Sequence, residues 1–583
     1  MLPSTRLQPA LNPDNLTQAN WQQPGHDTLP VLSVKQVRAL EHAAFAQTDS
    51  FLLMQAAGLR TALKIADQIA HSEPHNLRCV VLAGPGNNGG DACIVAGELK
   101  RQGLEVALYQ VTEEKAGSKD RMQAVLWALA HGVQPVEIQD SAQLPDISPN
   151  TLVVDGLLGI ACNRAPEGLI RTLIRHVNDR VKQINSQTRH KQVRVIALDC
   201  PSGVNCDTGD APGEAICAHT TFSYLACKHG LLTSQGKSLA GEVWIDDLNC
   251  GELLDELLTG PLTETLEQTS NKPVFGKSIL ALSRVDQLQR LPLRGHEHHK
   301  GSFGSIAVLG GQQGMVGACV LSARTALQLG CGRVALSLLG ETDAHLPDVQ
   351  QQGQTLFLDL VFPEIMNKGL ESNLEFADIA TIGPGLGQSE EALQMLLAVL
   401  EHDKGLHLVW DADALNLLAN NASLRARFKH YRSKHPTRAL VLTPHPLEAA
   451  RLLQSTTEMV QADRHAAAQA ISERFNCTVV LKGPGSLICN GKSIEINITG
   501  GPALGTAGSG DVLAGAIAAL LGQGLNEFDA AAFGVYLHGL AVEPAHGEQH
   551  GLLISHASEI AVRMKNSLNS LLNQLARHHS QLP

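Results

Sequence analysis

Short apolar runs alternate with helical patterns along most of the chain. The N-terminal half holds strand candidates at Cys79–Ala83, Val106–Tyr109, Leu152–Val154, Val193–Leu198 and Glu242–Ile245. The C-terminal half repeats the alternation at Ser305–Leu309, Val334–Leu338, Ile379–Ile382, Leu406–Trp410, Leu440–Leu442 and Val479–Leu481. Strands that alternate with helices favour parallel sheets covered by helices on both faces. We therefore predict an α/β fold in each half.

The same pattern predicts the domain organisation. Residues 1–30 are rich in Pro, Gln and Asn and lack periodicity, so we expect a flexible arm there. Residues 31–250 and 276–575 carry the two alternating patterns, and the polar residues 251–275 between them are interpreted as a linker. A chain of 583 residues is also too long for one hydrophobic core.

Composition restricts the classes of partner. The net charge of −12, without a basic run, argues against nucleic acid or an anionic membrane surface. The 12 cysteines include no Cys-x-x-Cys pair, which favours a reducing compartment. No secretion signal and no apolar run of membrane-spanning length stand out, so we expect a cytoplasmic protein. A homo-oligomer is also expected, although no feature of the sequence fixes the oligomeric state.

The most informative polar segment is Gly508-Ser-Gly-Asp511, which leads directly into the apolar helical run Val512–Leu521. Glycines before a helix direct backbone N–H groups and the positive end of the helix dipole toward one point, which suits a phosphate. Asp511 is placed to take a proton from a neighbouring hydroxyl, or to hold the metal that accompanies a nucleotide. The alternative is that Asp511 only caps the helix.

A second glycine-rich loop, residues 84–91, follows the strand candidate Cys79–Ala83. It satisfies G-x-G-x-x-G, which alone is a weak signal for dinucleotide binding. The next strand candidate does not end in an acidic residue that would hold a ribose, so a dehydrogenase is not favoured.

Polar side chains at three predicted strand ends suggest an ion site in the N-terminal half. Asn88, Asp155 and Ser202 follow three of the strand candidates, and such loops meet at the carboxyl edge of a parallel sheet. Their oxygen atoms suit a hard cation better than zinc. Asp199 would remain free as an acid or a base, although each aspartate alone is equally well explained as a cap of a helix or a turn.

Residues 84–91, together with Asp199-Cys-Pro-Ser-Gly203, resemble the NAD(P)HX epimerase family, also called the YjeF N-terminal domain. NAD(P)HX is the hydrated form of NADH or NADPH. Leu53–Gly58 and Lys228–Leu231 are similar to further motifs of that family. The resemblance covers roughly residues 31–250 and implies a Rossmann-like fold.

The resemblance also implies the site residues of this half. It implies a potassium ion held by Asn88, Asp155 and Ser202, and a catalytic, substrate-contacting Asp199. Two loops are implied to contact the hydrated dinucleotide: Asn87, Asn88, Gly89, Gly90 and Asp91, and Gly159, Ile160, Ala161, Cys162, Asn163, Arg164 and Ala165. The family's Gly-Thr-Gly turn reads Gly159-Ile-Ala161 here, which removes a hydroxyl and a flexible residue.

Loops rich in glycine and polar groups also follow the strand candidates of the C-terminal half, where α/β proteins carry their sites. They are Gly310–Ala318, Gly383–Gly387, Trp410–Asn416, Thr443–Glu448 and Leu481–Ser486. Lys482 between accessible backbone N–H groups is a natural phosphate contact. His445 between two prolines either hydrogen-bonds a substrate amide or is a satisfied turn histidine. The stretch from His296 to His299 looks like a metal cluster, but we interpret it as solvated.

Together these loops resemble the ADP/ATP-dependent NAD(P)HX dehydratase family, a ribokinase-like fold, over roughly residues 276–575. The resemblance implies substrate contacts from Ala318, Gly385, Gly387, His445 and the catalytic Asp511. It implies adenine-nucleotide contacts from Lys482, Gly483, Pro484, Gly485, Ser486 and Gly510. ADP with Mg²⁺ is the expected nucleotide, and ATP is the other candidate.

The two resemblances imply a bifunctional enzyme. The N-terminal half would interconvert the R and S epimers of NADHX and NADPHX, and the C-terminal half would dehydrate the S epimer to NADH or NADPH. Because hydroxide is a poor leaving group and phosphate a good one, a kinase-like site suits this dehydration. The alternative is a kinase for a small alcohol, such as a vitamin precursor, with a non-catalytic ligand-binding N-terminal domain.

Overall fold

The computed structural model describes residues 15–24, 29–70, 77–111, 118–187, 192–259, 279–281, 290, 297–340, 359–543 and 556–579. The chain forms two compact units, residues 1–279 and 280–583. Gly251–Thr259, which we assigned to the linker, is a helix whose Leu253 and Leu254 are buried in the core of the first unit. The remaining linker residues lie outside the described residues.

The first unit contains ten strands and eight helices among its described residues. The strands are β1 (Trp21–Gln22), β2 (Leu29–Leu32), β3 (Arg78–Ala83), β4 (Glu105–Val111), β5 (Val136–Ile138), β6 (Thr151–Gly156), β7 (Arg194–Leu198), β8 (Thr220–Tyr224), β9 (Cys227–Lys228) and β10 (Glu242–Asp246). The helices are α1 (Val34–Phe45), α2 (Ser50–Ala70), α3 (Asn87–Arg101), α4 (Lys119–Ala130), α5 (Gly168–Gln187), α6 (His229–Leu232), α7 (Ser234–Leu239) and α8 (Gly251–Thr259). A 3₁₀ turn spans Ser141–Gln143.

Eight of these strands form one sheet in the order β1-β10-β8-β7-β6-β3-β4-β5, and β2 pairs with β9. All neighbours in the sheet are parallel except β1 and β10. The chain runs from β3 outward to β5 and then returns to the other side of β3 at β6. The connections therefore diverge between β3 and β6, and α/β sheets bind ligands at such a switch point.

Strand β3 shows why helices cover both faces of the sheet. Cys79, Val81 and Ala83 pack into one buried cluster with residues of α2, α3 and α4. Val80 and Leu82, which point to the opposite face, pack with residues of α5. A strand that is apolar at every position is typical of a sheet buried on both faces. The predicted α/β architecture of the N-terminal half is confirmed.

Part of the predicted N-terminal arm is folded onto the first unit. Trp21–Gln22 pairs antiparallel with β10. The guanidinium group of Arg60 donates to the backbone oxygen of Leu16 at 2.9 Å and binds the Asp246 carboxylate at 3.0 Å. These contacts correct our expectation for residues 15–24, because a buried cation and a strand edge hold them. Residues 1–14 and 25–28 lie outside the described residues.

The second unit has its own set of elements. Its strands are β11 (Ile279–Ala281, at the boundary), β12 (Ser305–Gly310), β13 (Arg333–Leu338), β14 (Met366–Asn367), β15 (Ile379–Ile382), β16 (His407–Trp410), β17 (Leu440–Leu442), β18 (Thr478–Leu481), β19 (Leu487–Cys489) and β20 (Ile494–Ile496). Its helices are α9 (Val316–Gln328), α10 (Leu370–Phe376), α11 (Glu390–Glu401), α12 (Asp413–Asn420), α13 (Ala422–Lys434), α14 (Pro446–Leu453), α15 (Thr457–Ala462), α16 (Arg464–Phe475), α17 (Ser509–Gly522), α18 (Glu527–Leu540) and α19 (Ala557–His579). Two 3₁₀ turns span Lys300–Phe303 and Pro502–Leu504.

The sheet of the second unit runs β14-β13-β12-β15-β16-β17-β18-β19-β20. It is parallel from β14 to β18, and the last three strands are antiparallel. Helix α17 packs tightly on α9, since a Cβ on Gly515 would lie 2.1 Å from the carbonyl oxygen of Ser322. The predicted α/β fold is confirmed here as well, with a switch point between β12 and β15.

The buried Arg60–Asp246 pair gives a test of the first unit's stability. Arg60→Met leaves the Asp246 carboxylate buried without its cation, and we expect a loss of about 3–5 kcal/mol in the free energy of unfolding. Arg175→Met, which breaks the exposed pair with Glu214, should cost less than about 1 kcal/mol. Urea unfolding followed by tryptophan fluorescence measures both, since three of the four tryptophans lie in this unit. Equal losses would contradict the expectation.

Candidate active sites

A cavity of about 660 Å³ opens at the switch point of the first unit. Its lining brings together residues from both predicted loops and the predicted catalytic aspartate: Asn87, Asn88, Asp91, Gly159, Ile160, Ala161, Cys162, Asn163, Arg164, Ala165 and Asp199. Gly89 and Gly90 do not line it but are buried below it. A Cβ on Gly89 would lie 2.0 Å from the backbone oxygen of Gly84, so the turn requires glycine there.

Helix α1 and the end of β8 also line the cavity, and sequence reasoning missed both. Arg38 and Glu41 reach it from α1, and Tyr224 from β8. Arg38 and Glu41 lie about one turn apart, so they share a face of the helix. That spacing is common on solvated helices, which is why it carried no signal.

The three predicted ion ligands form one connected group. Asp155 accepts hydrogen bonds from the Ser202 hydroxyl at 2.7 Å and from the Ser202 backbone N–H at 2.8 Å. The Asn88 amide nitrogen donates to the backbone oxygens of Leu158 at 2.8 Å and Leu198 at 3.1 Å. These bonds fix the amide orientation and leave Oδ1 of Asn88 buried without a hydrogen-bond partner among the described residues.

Asp155 is fully buried, and burial raises its pKa to about 6, although hydrogen bonds from Ser202 and Leu157 act in the opposite direction. No group of three or more His, Cys, Asp or Glu side chains in the described part of the chain is arranged to hold a metal. The group around Asp155 therefore offers oxygen atoms from an amide, a hydroxyl and one carboxylate.

Asp199 follows β7 in a left-handed backbone conformation, with a φ of +63°. Its backbone N–H donates to the Phe222 oxygen at 2.6 Å, which holds this unfavourable conformation in place. The carboxylate forms an ion pair with the buried Lys228. Strain maintained by surrounding bonds is typical of functional positions.

Two other carboxyl groups of this cavity are biased toward the neutral form. Burial and the nearby Asp199 raise the pKa of Glu41, and Lys228 and Arg38 lower it to a smaller extent. Burial, Asp199 and Glu41 raise the pKa of Asp91 well above its usual range. The cavity thus contains carboxyl groups with different tendencies to hold a proton, as acid–base catalysis requires.

The site of the second unit lies along the carboxyl ends of β16, β17 and β18. Lys482 donates to Asp411 at 2.7 Å and lies 4.0 Å from a Glu448 oxygen. The Thr443 hydroxyl also donates to Asp411, at 2.7 Å. One ammonium group is thereby shared by carboxylates from neighbouring strand ends.

Asp511 lies in the first turn of α17, where the sequence predicted it. Burial and the neighbouring Asp411 raise its pKa to about 7, while Lys482 acts in the opposite direction. A Cβ on Gly510 would lie 3.4 Å from both the Lys482 ammonium and the Asp411 carboxylate. The helix start and the Lys482 loop therefore form one site, although they come from separate parts of the chain.

His445 is engaged within the protein. Its Nδ1 accepts from the backbone N–H groups of Leu447 at 3.1 Å and Glu448 at 3.4 Å, which caps α14. Burial and Lys482 lower the pKa of the ring. Nε2 lies 3.3 Å from a Glu448 oxygen, and burial raises the pKa of that carboxyl to about 7. This geometry favours the satisfied turn histidine, and substrate contact by His445 stays a prediction.

The glycine loops at the switch point of the second unit are joined to each other. Gly311 donates to the Pro384 oxygen at 3.0 Å, and Gln312 to the Gly385 oxygen at 2.7 Å. Gly385 has a φ of +59°, and a Cβ there would meet Ala318 at 3.3 Å. Ala318 and Gly385 are thus neighbours, as the resemblance requires, and Gly387 donates to Asp413 at 2.9 Å.

The loop from Lys482 to Ser486 rests on Arg464, which sequence reasoning missed. The Arg464 guanidinium group is buried and donates to the backbone oxygens of Leu481, at 3.2 Å, and Pro484. Burial lowers the pKa of Arg464 to about 10. Because these carbonyl groups are held toward Arg464, the loop keeps a fixed shape.

The histidine stretch before Lys300 behaves as expected in its described part. His299 is exposed and caps the 3₁₀ turn by accepting from Gly301 at 3.0 Å. His298 stacks edge-on against Phe303. His296 lies outside the described residues.

The fold and these sites define a two-unit α/β enzyme with an acid–base cavity in one unit and a glycine-rich site at a helix start in the other. A family model described as YjeF-related protein N-terminus matches residues 50–230, and one described as NAD(P)H-hydrate dehydratase matches residues 306–563. Both matches agree with the resemblances found in the sequence.

The chain is 34% identical over 466 residues to the bifunctional NAD(P)H-hydrate repair enzyme Nnr of Escherichia coli, covering 80% of each chain. It is 33% identical to the enzyme of the same name from Coxiella burnetii, covering 82% of this chain and 88% of that one. The chain therefore belongs to the family of bifunctional NAD(P)H-hydrate repair enzymes, which confirms the predicted family.

Among solved structures, the fold is similar to that of ADP/ATP-dependent NAD(P)H-hydrate dehydratase from Bacillus subtilis, co-crystallised with ATP and Mg²⁺. That likeness has 26% identity and a TM-score of 0.39, and it covers 50% of this chain and 96% of the other. Within the described part of the chain, no helix has both the length and the apolar character needed to cross a bilayer.

Proposed function

We propose that this protein repairs hydrated NADH and NADPH. The first unit interconverts the R and S epimers of NAD(P)HX, and the second unit dehydrates the S epimer at the expense of ADP. The observation that carries the proposal is the convergence of two substrate loops and Asp199 on one cavity. A small-alcohol kinase with a non-catalytic, ligand-binding N-terminal domain is the weaker alternative, because such a domain has no use for carboxyl groups arranged for proton transfer.

The dehydration is a phosphoryl transfer followed by an elimination. Asp511, with a pKa of about 7, takes the proton of the ring hydroxyl while the hydroxyl oxygen receives the terminal phosphoryl group of ADP. The bond from that phosphorus to the bridging oxygen breaks, and AMP leaves. The carbon–oxygen bond then breaks with phosphate as the leaving group, and loss of a ring proton restores the dihydronicotinamide. Lys482 and the backbone N–H groups at the start of α17 are suited to hold the nucleotide phosphates.

Mg²⁺ fits the charge balance of this site. Asp411, Glu448 and Asp511 surround the single ammonium group of Lys482, so the cluster has a surplus of negative charge. Carboxylates and phosphates are the ligands that Mg²⁺ prefers. When bound, the ion would neutralise charge on the transferred phosphoryl group. ADP is favoured over ATP by the resemblance alone.

A monovalent cation, potassium by resemblance, fits the group around Asp155. A cation would coordinate the unpartnered Oδ1 of Asn88 and would balance the charge of the fully buried Asp155 carboxylate. One carboxylate supplies one negative charge, whereas a divalent ion is usually met by more carboxylates. The ion would organise the loops after β3, β6 and β7 around the substrate, and Asp199 would remain free to move a proton.

We also propose that the protein acts in the cytoplasm, which its twelve free thiols support. Assembly as a homo-oligomer stays a prediction. A purified sample given mixed NADHX epimers and either ADP or ATP should recover NADH absorbance from both epimers with at least one of the nucleotides. Failure with both nucleotides would overturn the proposed function.

Asp511→Asn should remove nucleotide-dependent recovery of NADH. Loss of a general base costs on the order of 10²–10⁴ in rate. In the parent enzyme, the rate of dehydration should rise with pH through about 7, because the ionised form of Asp511 is the active one. Epimer exchange in the same chain is the control and should be unchanged. Dehydration at the parent rate would remove Asp511 from the mechanism.

Asp199→Asn should have the opposite effect. Repair of an epimer mixture should proceed until the S epimer is used up and then continue only at the rate of spontaneous exchange. The reason is that Asp199 is the proposed proton-transfer group of the epimerase. Chiral chromatography of the remaining hydrate measures this. A variant that consumes both epimers as fast as the parent would contradict the assignment.

Epimer exchange should slow when potassium is replaced by tetramethylammonium. The bulky cation cannot enter a buried oxygen site, so the loops lose their organising ion. Potassium should also raise the unfolding temperature of the first unit, and Asp155→Asn should weaken both effects. Exchange that ignores monovalent ions but stops with a divalent-metal chelator would overturn this ion assignment.

A further inference from the structure

Lys228 is a fully buried lysine next to the epimerase cavity. Its ammonium group donates to Asp199, to the Ser223 hydroxyl at 2.9 Å and to the Tyr224 backbone oxygen at 2.7 Å. An ammonium group has three hydrogens, so no donor remains for a substrate. Burying a lysine is costly unless it is paired and hydrogen-bonded. The position of Lys228 therefore points to an action through Asp199.

The backbone around Lys228 fixes this contact. Lys228 lies on β9, which pairs in parallel with β2 in the register Lys228 to Leu32. On the other side, Asp199 is held by its own backbone bond to Phe222, a residue of β8. Main-chain hydrogen bonds thus fix the backbone of both Lys228 and Asp199, and their ammonium and carboxylate groups are held in contact.

Only one oxygen of Asp199 takes part in these contacts. Oδ1 accepts from Lys228 and, at 3.4 Å, from the Tyr224 backbone N–H. The Asp199 side chain keeps 16% of its surface exposed and lines the cavity. Oδ2 is therefore the oxygen available to a substrate.

Acidic side chains cluster around Asp199. The titratable and charged groups that face it are Arg38 and Glu41 on α1, Asp91 on α3, the adjacent Cys200, Tyr224 on β8 and Lys228 on β9. Lys228 is the buried cation of this set. Without it, three carboxyl groups would share one cavity, and like charges disfavour ionisation of each other.

We propose that Lys228 is a positioning residue of the epimerase. It holds Oδ1 of Asp199 and balances its charge, so that Oδ2 faces the hydrated ring as the proton-transfer group. This inference rests on the proposed function of the first unit, because it assigns Lys228 a role in the same site.

Lys228→Met should lower the rate constant of epimer exchange about 100-fold and move the rising limb of its pH profile upward by at least one unit. The methionine keeps the length of the side chain but removes the charge, so Asp199 is ionised only at higher pH. The KM for the hydrate should change less than about threefold, because Lys228 does not touch substrate. Dehydration of pure S epimer by the same chain is the internal control and should be unchanged.

Two further variants separate positioning from a merely structural role. Ser223→Ala removes one acceptor of the ammonium group but no charge, so the pH limb should stay in place. Lys228→Arg keeps the charge but cannot reproduce the three bonds, so we expect a fall in rate of about tenfold with the limb unmoved. If Lys228→Met does not fold, the Lys228→Arg variant decides the question. Epimer exchange at the parent rate in that variant would contradict the positioning role.

The outcomes also distinguish this inference from the function on which it rests. If the parent enzyme exchanges epimers but Lys228→Met keeps the parent's rate and pH limb, the positioning role is overturned and the epimerase function stands. If the parent shows no exchange above the spontaneous rate, the proposed function itself fails.

Discussion

Both sites depend on the shared edge at which parallel strands end. In the first unit, Asn88 and Asp199 follow β3 and β7, and Asp155 is the second-to-last residue of β6, the strand between them in the sheet. In the second unit, Asp411 and Lys482 follow β16 and β18 on either side of β17. Hydrogen bonds between neighbouring parallel strands therefore bring together, at one edge of the sheet, residues that are distant in sequence.

That edge concentrates carboxyl groups, and burial together with a paired lysine sets the charge balance of each site. Lys228 pairs with Asp199, while burial pushes the pKa of Asp91 upward. Lys482 pairs with Asp411, while burial brings the pKa of Asp511 to about 7. In each unit one lysine thus pairs with one carboxylate, while burial biases a second carboxyl group toward its neutral form.

The strands that the sequence predicted are those with continuous apolar runs. Ile379–Ile382 and Leu440–Leu442 have the predicted bounds, because a strand buried on both faces is mostly apolar along its length. Thr220–Tyr224 was missed although it is fully buried, since hydroxyl groups there bond to the backbone, as Thr221 does to Ala240 at 2.7 Å. The hairpin Leu487–Cys489 and Ile494–Ile496 was also missed, and the charged Glu495 interrupts the apolar pattern of its second strand.

The predicted site residues are those whose signal is local: a glycine turn, an aspartate at a strand end, a helix start. Glu41 and Arg464 carry no local signal, and the motif that begins at Lys228 did not indicate a role for the lysine, because the roles of all three come from partners on other elements. Lys228 lies 29 residues after the carboxylate that it binds, and Arg464 lies 20 residues before the loop carbonyl that it supports. A sequence motif predicts the local backbone conformation of the loop that approaches a substrate. The charge balance that makes its carboxylates reactive depends on buried neighbours, and only the folded chain determines which side chains these are.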